Sequence, residues 1–226
     1  MLQWLLKGAQ SVLGEHFIGL YLYGSLASGD FNPQTSDIDF LVVTATDLSG
    51  ELVRGLEALH VRLWNSGLKW AAKLEGAYVP QYALRRYDPG SAPCPTINEG
   101  RFYLDRQGSD WIIQRHILRE HGAVVCGPSL TSSIDPVTPD DLRRAVAAVL
   151  REWWQPMLDD PHFIRNREYE AYAALTMCRA VYTLEYGDIV AKPMAARWAM
   201  QALDSRWTVL IDRAVAWRRR NRSRIV

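Results

Sequence analysis

Long apolar runs are missing from this 226-residue chain. No stretch approaches the roughly eighteen residues needed to span a bilayer, so a membrane is not an expected partner. Cysteine is scarce: Cys94, Cys126 and Cys178 are scattered, odd in number and form no CxxC pair. That excludes a disulfide framework and a thiolate zinc site, and it suits a reducing compartment. The opening Met-Leu-Gln-Trp-Leu-Leu-Lys lacks a basic n-region and a small-residue cleavage site, so a cytoplasmic location is expected. Charge of one sign is also lacking: 26 Lys+Arg against 25 Asp+Glu leaves a net +1. The broad electrostatic attraction that carries nucleic-acid binding is therefore absent, and a monomer acting on small molecules is expected. Neither GxxxxGK[ST] nor GxGxxG occurs, which removes the P-loop and dinucleotide-binding readings. Internal repeats and low-complexity tracts are absent.

What is present is an ordinary apolar fraction of 48%, enough to bury a core, with nine Trp and ten Tyr. The pattern of elements changes along the chain. Leu2, Leu5, Leu6, Val12 and Leu13 recur at helical spacing. Phe17 to Tyr23 reads as a strand running into a turn at Gly24-Ser25, and residues 26–36 as a loop or brief helix. Ile38 to Val43 resumes strand character, and Ser49 caps a helix reaching about Trp64. Lys69 to Val79 is strand-like and stops at Pro80. Tyr87 to Gly100 carries three prolines and two glycines without periodicity and reads as a linker. Helical patterns follow: Trp111 to about Gly122, a start at Thr138-Pro139-Asp140-Asp141, Arg167 to Tyr186, and Lys192 to Arg220. An α/β half is thus expected to precede an all-helical half, with domains at 1–95 and 96–226.

The chemistry is concentrated in Leu20 to Val43, LYLYGSLASGDFNPQTSDIDFLVV. Asp37 and Asp39 are two apart on a strand and so share a face. Carboxylates placed together beside a hydrophobic strand repel, and a divalent cation resolves the conflict. Mg²⁺ suits such a pair, completing its shell with waters and substrate phosphate oxygens. Gly24 lets backbone approach a phosphate closely, and the hydroxyls of Ser25 and Ser36 are placed to cradle phosphate oxygens. A hydroxyl acceptor also needs a proton taker, and Glu75 is the candidate general base. It is an acid in a strand otherwise made of Ala, Leu, Tyr and Val; the alternative is a solvated residue on an edge strand. The arginine-rich end, Trp217 to Val226, reads either as a solvated helix end or as a polyanion contact.

The Gly-Ser turn, eleven intervening residues and Asp-Ile-Asp followed by four apolar residues resemble the signature of the DNA-polymerase-β-like nucleotidyltransferase superfamily. Within it, the stretch is similar to the streptomycin/spectinomycin adenylyltransferases. So are LREHGAVVCGPSLTSSIDPVTPDDLRRAV and ALTMCRAVYTLEYGDIVAKPMAARWAMQAL further on. The resemblance implies an α/β nucleotidyltransferase domain, a mixed sheet with flanking helices, followed by an all-α helical bundle. It implies ATP and two metal ions in the cleft between the domains, and AMP transfer to a hydroxyl of a cationic antibiotic. By the resemblance, Asp37, Asp39 and Glu75 are the metal-binding acids, Glu75 the base, and Gly24, Ser25 and Ser36 the triphosphate's surroundings. Lys192 matches a helical-domain lysine on the ATP phosphates. For the acceptor, Trp154 matches a family tryptophan. Tyr169 stands where the family carries an aspartate, with Glu168 and Glu170 beside it to replace that acid. Another small-molecule or protein acceptor, or a non-catalytic nucleotide-binding relative, are the alternative readings.

Overall fold

The computed structural model describes residues 1–27, 29–34, 36–160 and 166–222. They form two compact units, one of residues 1–29 and 37–136, the other of residues 30–36 and 137–226.

The first unit is a six-stranded mixed sheet in the order β5-β4-β3-β2-β1-β6. Its strands are β1 (Phe17–Leu22), β2 (Ile38–Thr44), β3 (Leu74–Pro80), β4 (Cys94–Asn98), β5 (Arg101–Asp105) and β6 (Ala123–Cys126). β2 and β3 run parallel, joined through helix α3 (Gly50–Trp64); every other pairing is antiparallel. A parallel pair needs a crossover of that kind, and it buries both faces of its strands. That is why all of β2 except Asp39 is buried. Helix α1 (Leu2–Leu13) buries Leu5, Ala9 and Leu13 at the predicted spacing, and α3 buries Leu56, Leu59 and Leu63. Ser49 caps α3, its hydroxyl accepting from Leu52 N–H at 3.3 Å. The short helices α2 (Gly24–Ala27) and α4 (Gln81–Leu84) follow β1 and β3, and α5 (Asp110–His121) precedes β6.

The second unit is helical: α6 (Pro139–Val149), a π-helical turn (Leu150–Trp154), α7 (Gln155–Asp159), α8 (Arg167–Tyr186), α9 (Lys192–Ala202) and α10 (Thr208–Arg222). Thr138 and Asp141 form a reciprocal capping box, with Pro139 in the first turn. Asn166 caps α8, which ends at Gly187 in the left-handed conformation that glycine tolerates best. Ala171, Leu175 and Cys178 of α8 meet Ala195, Ala196 and Ala199 of α9 and Ile211 and Ala214 of α10. The segment 30–36 joins this unit: Arg218 Nη2 lies 2.9 Å from Asp30 Oδ2, and Asn32 Nδ2 donates to the Arg218 carbonyl at 3.0 Å.

Two expectations are corrected. Residues 87–100 are not a linker, because β4 lies there and pairs with both β3 and β5. The 95/96 boundary therefore falls inside a strand, and the compact units divide after Pro136 instead. Cross-strand pairing overrides the proline-rich composition. Second, β3 begins at Leu74 rather than Lys69, with a 3₁₀ turn over Ala71–Lys73 before it. The helical pattern from Lys192 to Arg220 is two helices, with Leu203 to Trp207 between them. Residues 223–226 of the arginine-rich end lie outside the described residues. Among the described residues, no helix is long and apolar enough to cross a membrane.

Candidate active site

Glu75 does not sit on an edge. Its strand, β3, is the third of six, flanked by β2 and β4, which removes the solvated edge-strand reading. The parallel register sets Asp39 of β2 directly beside Glu75 of β3. Burial is the largest influence on Glu75, followed by the charges of Asp39, Asp37, Glu99 and Asp110; together they push its carboxyl up to about 7. Four acids acting on a fifth describe a concentration of negative charge. Lys73 Nζ lies 3.3 Å from Asp37 Oδ1, and both side chains are substantially exposed. Tyr23, fully buried at the end of β1, has its hydroxyl pushed well above its ordinary value by burial, then by Asp39, Glu75 and Asp110. Its backbone N–H donates to the Asp39 carbonyl at 3.1 Å.

Gly24 has two reasons to be glycine. Its φ is +63°, and a Cβ there would lie 1.9 Å from Asp39 Oδ2. The turn therefore closes directly against the carboxylate, with Ser25 following in α2. Ser36 is buried, its hydroxyl accepting from Asn32 N–H at 3.0 Å while its own N–H donates to the Asn32 carbonyl at 2.8 Å. That oxygen ties Ser36 to Asn32.

Asp37, Asp39 and Glu75 are all oxygen donors, as Mg²⁺ requires. Among the described residues, no set of three acidic, His or Cys side chains stands ready to hold an ion unaided. Mg²⁺ needs only one or two carboxylates when waters and phosphate oxygens complete its shell, so the Asp37–Asp39 pair fits it.

A cavity of about 660 Å³ opens at the β4–β5 turn, lined by Asn98, Glu99, Arg101, Phe102 and Tyr103. The charges of Glu75 and Glu99 both act on Tyr103, whose hydroxyl is raised chiefly by burial.

In the helical unit, Trp154 stacks on Tyr172 at 5.9 Å between ring centres, and Tyr169 lies 6.3 Å from Trp154 and 5.6 Å from Tyr172. Lys192 Nζ stands 4.0 Å over the Tyr172 ring, a cation–π contact. Trp154 and Lys192, singled out separately in the sequence, thus meet through one tyrosine. Glu170 lies on the exposed first turn of α8. The Tyr169 hydroxyl donates to Met157 Sδ at 3.0 Å.

Sequence reasoning missed Tyr23, Glu99, Asp110 and the Lys73–Asp37 pair. Only Lys73, two residues before Glu75, left a local signal; the others arrive by tertiary contact.

The Gly-Ser turn thus closes on Asp39, with Glu75 beside it on the neighbouring parallel strand. Residues 6–92 match the family model described as nucleotidyltransferase domain, and residues 132–224 match aminoglycoside adenylyltransferase, C-terminal domain. The chain belongs to the nucleotidyltransferases, and its two halves carry these two domains in that order. It is 26% identical over 217 residues to a spectinomycin 9-adenylyltransferase of Staphylococcus aureus, covering 92% of this chain and 80% of the relative. It is 28% identical over 206 residues to an aminoglycoside (3'') (9) adenylyltransferase of Klebsiella pneumoniae, covering 86% and 75%. Its fold matches that of the spectinomycin adenyltransferase AAD(9) of Enterococcus faecialis, solved with ATP and spectinomycin. There the TM-score is 0.72 at 20% identity, over 100% of this chain and 90% of the other.

Proposed function

We propose that this enzyme transfers AMP from ATP to a hydroxyl of a cationic, aminoglycoside-like small molecule of the streptomycin or spectinomycin type, an antibiotic-inactivating reaction. The observation that carries the reading is the register pairing of Asp39 with Glu75, with Asp37 close enough to act on the same carboxyl. Bound Mg²⁺, two ions by the family resemblance, would be held by Asp37, Asp39 and Glu75 together with phosphate oxygens, and supplies neutralisation of the triphosphate charge. Gly24 brings the turn close to the nucleotide, and the hydroxyls of Ser25 and Ser36 donate to phosphate oxygens. By the family resemblance, Lys192 is the residue that would contact ATP phosphates.

Glu75 takes the proton of the acceptor hydroxyl as its oxygen bonds to the α-phosphorus. The α–β anhydride bond breaks in the same displacement, and pyrophosphate leaves with the bonding pair. The acceptor's positive charge is matched by Glu99 at the β4–β5 cavity, with Phe102 and Tyr103 as its aromatic lining. In the helical unit Trp154 offers a further aromatic face and Glu170 a carboxylate.

The test is an acceptor panel: streptomycin, spectinomycin and other aminoglycosides incubated with ATP and Mg²⁺, read by pyrophosphate release and by mass gain of the acceptor. Modification of a panel member, lost in Asp37→Asn, supports the reading. ATP binding with no transfer to any of them contradicts it. A second reading keeps the chemistry and changes the acceptor. It is favoured by Tyr169, which packs against Trp154 and Tyr172 where the antibiotic-modifying family carries an aspartate. The same panel extended to a cell lysate separates the two.

A further inference from the structure

Four arginines, Arg85, Arg86, Arg115 and Arg119, gather where α4, α5 and the segment before Pro136 meet. Arg119 is spent on the fold. Its Nη1 donates to the carbonyls of Thr131 and of Ile134, the latter at 2.6 Å, tying down the segment that leads to Asp135. Arg115 stands one turn earlier on α5, at the i−4 position that shares a face with Arg119. Only 4% of it is exposed, and neither Nε nor Nη1 has a hydrogen-bond partner.

A buried guanidinium with orphaned donors is costly unless something answers it. The nearest carboxylate, Asp135, is already engaged: Arg85 Nε lies 3.1 Å from Oδ1 and Arg86 Nε 2.5 Å from Oδ2. The Asp135 N–H also donates to the Arg85 carbonyl at 3.1 Å, which fixes the acid in place. Arg115 feels both Asp135 and Arg86, and burial pulls its guanidinium down to about 10. Three cations around one anion leave two positive charges unanswered. The Nη groups of Arg85 and Arg86 bind nothing else among the described residues, and these two side chains are 73% and 80% exposed.

We propose that Arg85, Arg86 and Arg115 form a binding site for a tetrahedral oxyanion of the phosphate class, free phosphate or a phosphate monoester. The planar fork of each guanidinium matches paired oxygens of such an ion, and desolvation at Arg115 strengthens the contact. Arg85 and Arg86, held on Asp135 through Nε, keep their Nη groups at the exposed side of the cluster. Glu75 is near the start of β3, whereas Arg85 and Arg86 follow its last residue, Pro80, about 17 Å of strand further on.

The experiment titrates inorganic phosphate, and in parallel glycerol phosphate, into the full chain at constant ionic strength, reading the melting temperature and the ³¹P line width. Wild type is expected to be stabilised by at least one of the two. Arg86→Ala, an exposed change that leaves the fold intact, should weaken the response by about tenfold. Arg115→Met should abolish the response while raising the ligand-free melting temperature, because an unpaired buried charge is gone. Which ligand gives the larger shift identifies the source. The proposal is overturned if wild type responds to neither, or if all three proteins respond alike, which would put the ion at the triphosphate cradle.

Discussion

Asp39 and Glu75 are register partners on the two parallel strands of an otherwise antiparallel sheet. Strand pairing holds them side by side whatever the side chains prefer, so their repulsion is built into the backbone. The Glu75 carboxyl, pushed up to about 7, records that repulsion together with burial.

Repulsion of this kind must appear in the stability of the ligand-free protein. Glu75 holds its proton more tightly folded, at about 7, than unfolded, near 4.5. Its favourable contribution is complete below pH about 4.5 and disappears as pH rises through about 7. Glu75→Gln mimics the protonated form. It should match wild type in urea unfolding at pH 4.5 and exceed it at pH 8 by at most about 3 kcal/mol. Mg²⁺ with ATP should shrink or reverse that advantage.

His60 gives the opposite slope. Stacked on Phe40 and Phe102, with Nε2 2.8 Å from the Tyr78 hydroxyl, it is buried and its imidazole is lowered to about 4. The neutral ring's stabilisation is complete above pH about 6.5 and is lost as pH falls through about 4. Unfolding free energy should therefore fall across that window, and His60→Gln should flatten this part of the slope while lowering stability at pH 7. An unchanged slope in the variant contradicts the assignment.

Gly24→Ala would force a methyl to within 1.9 Å of Asp39 Oδ2 at a φ of +63°. Steric strain at such positions is about 1–3 kcal/mol, so a modest loss of melting temperature is expected. Activity should fall far more, by about 100-fold, because the carboxylate is displaced from its working position. Parallel melting and turnover measurements check the asymmetry.

Much of the candidate site is legible in the sequence because its parts lie in consecutive apolar strands. β1 and β2 announce themselves as aliphatic and aromatic runs, and Gly24-Ser25 and Asp37-Ile38-Asp39 interrupt them with residues those strands have no packing use for. Glu75 stood out among Ala, Leu, Tyr and Val for the same reason. β4 was hidden by Pro93 and Pro95, since its strand character comes from pairing with β3 and β5 rather than from local preference. β5 is mostly exposed and carries little apolar alternation to detect. Glu99 and Asp110 come to act on Glu75 only in the folded chain. No spacing in the chain encodes that approach.

Lys192 should act on the nucleotide and not on the acceptor. Lys192→Met keeps the contact with Tyr172 but removes the charge, and should raise the KM for ATP by about tenfold. The acceptor KM should change little. An effect confined to the acceptor would place Lys192 elsewhere in the reaction.

The most direct measurement is single-turnover transfer of AMP from α-labelled ATP by Glu75→Gln, with ATP binding measured on the same protein. The acceptor is whichever panel member the wild type modifies. General-base removal should cut transfer by about 100-fold or more while ATP binding persists. Transfer at the wild-type rate would contradict Glu75 as the base, and with it the reading of Asp39 and Glu75 as one reacting centre.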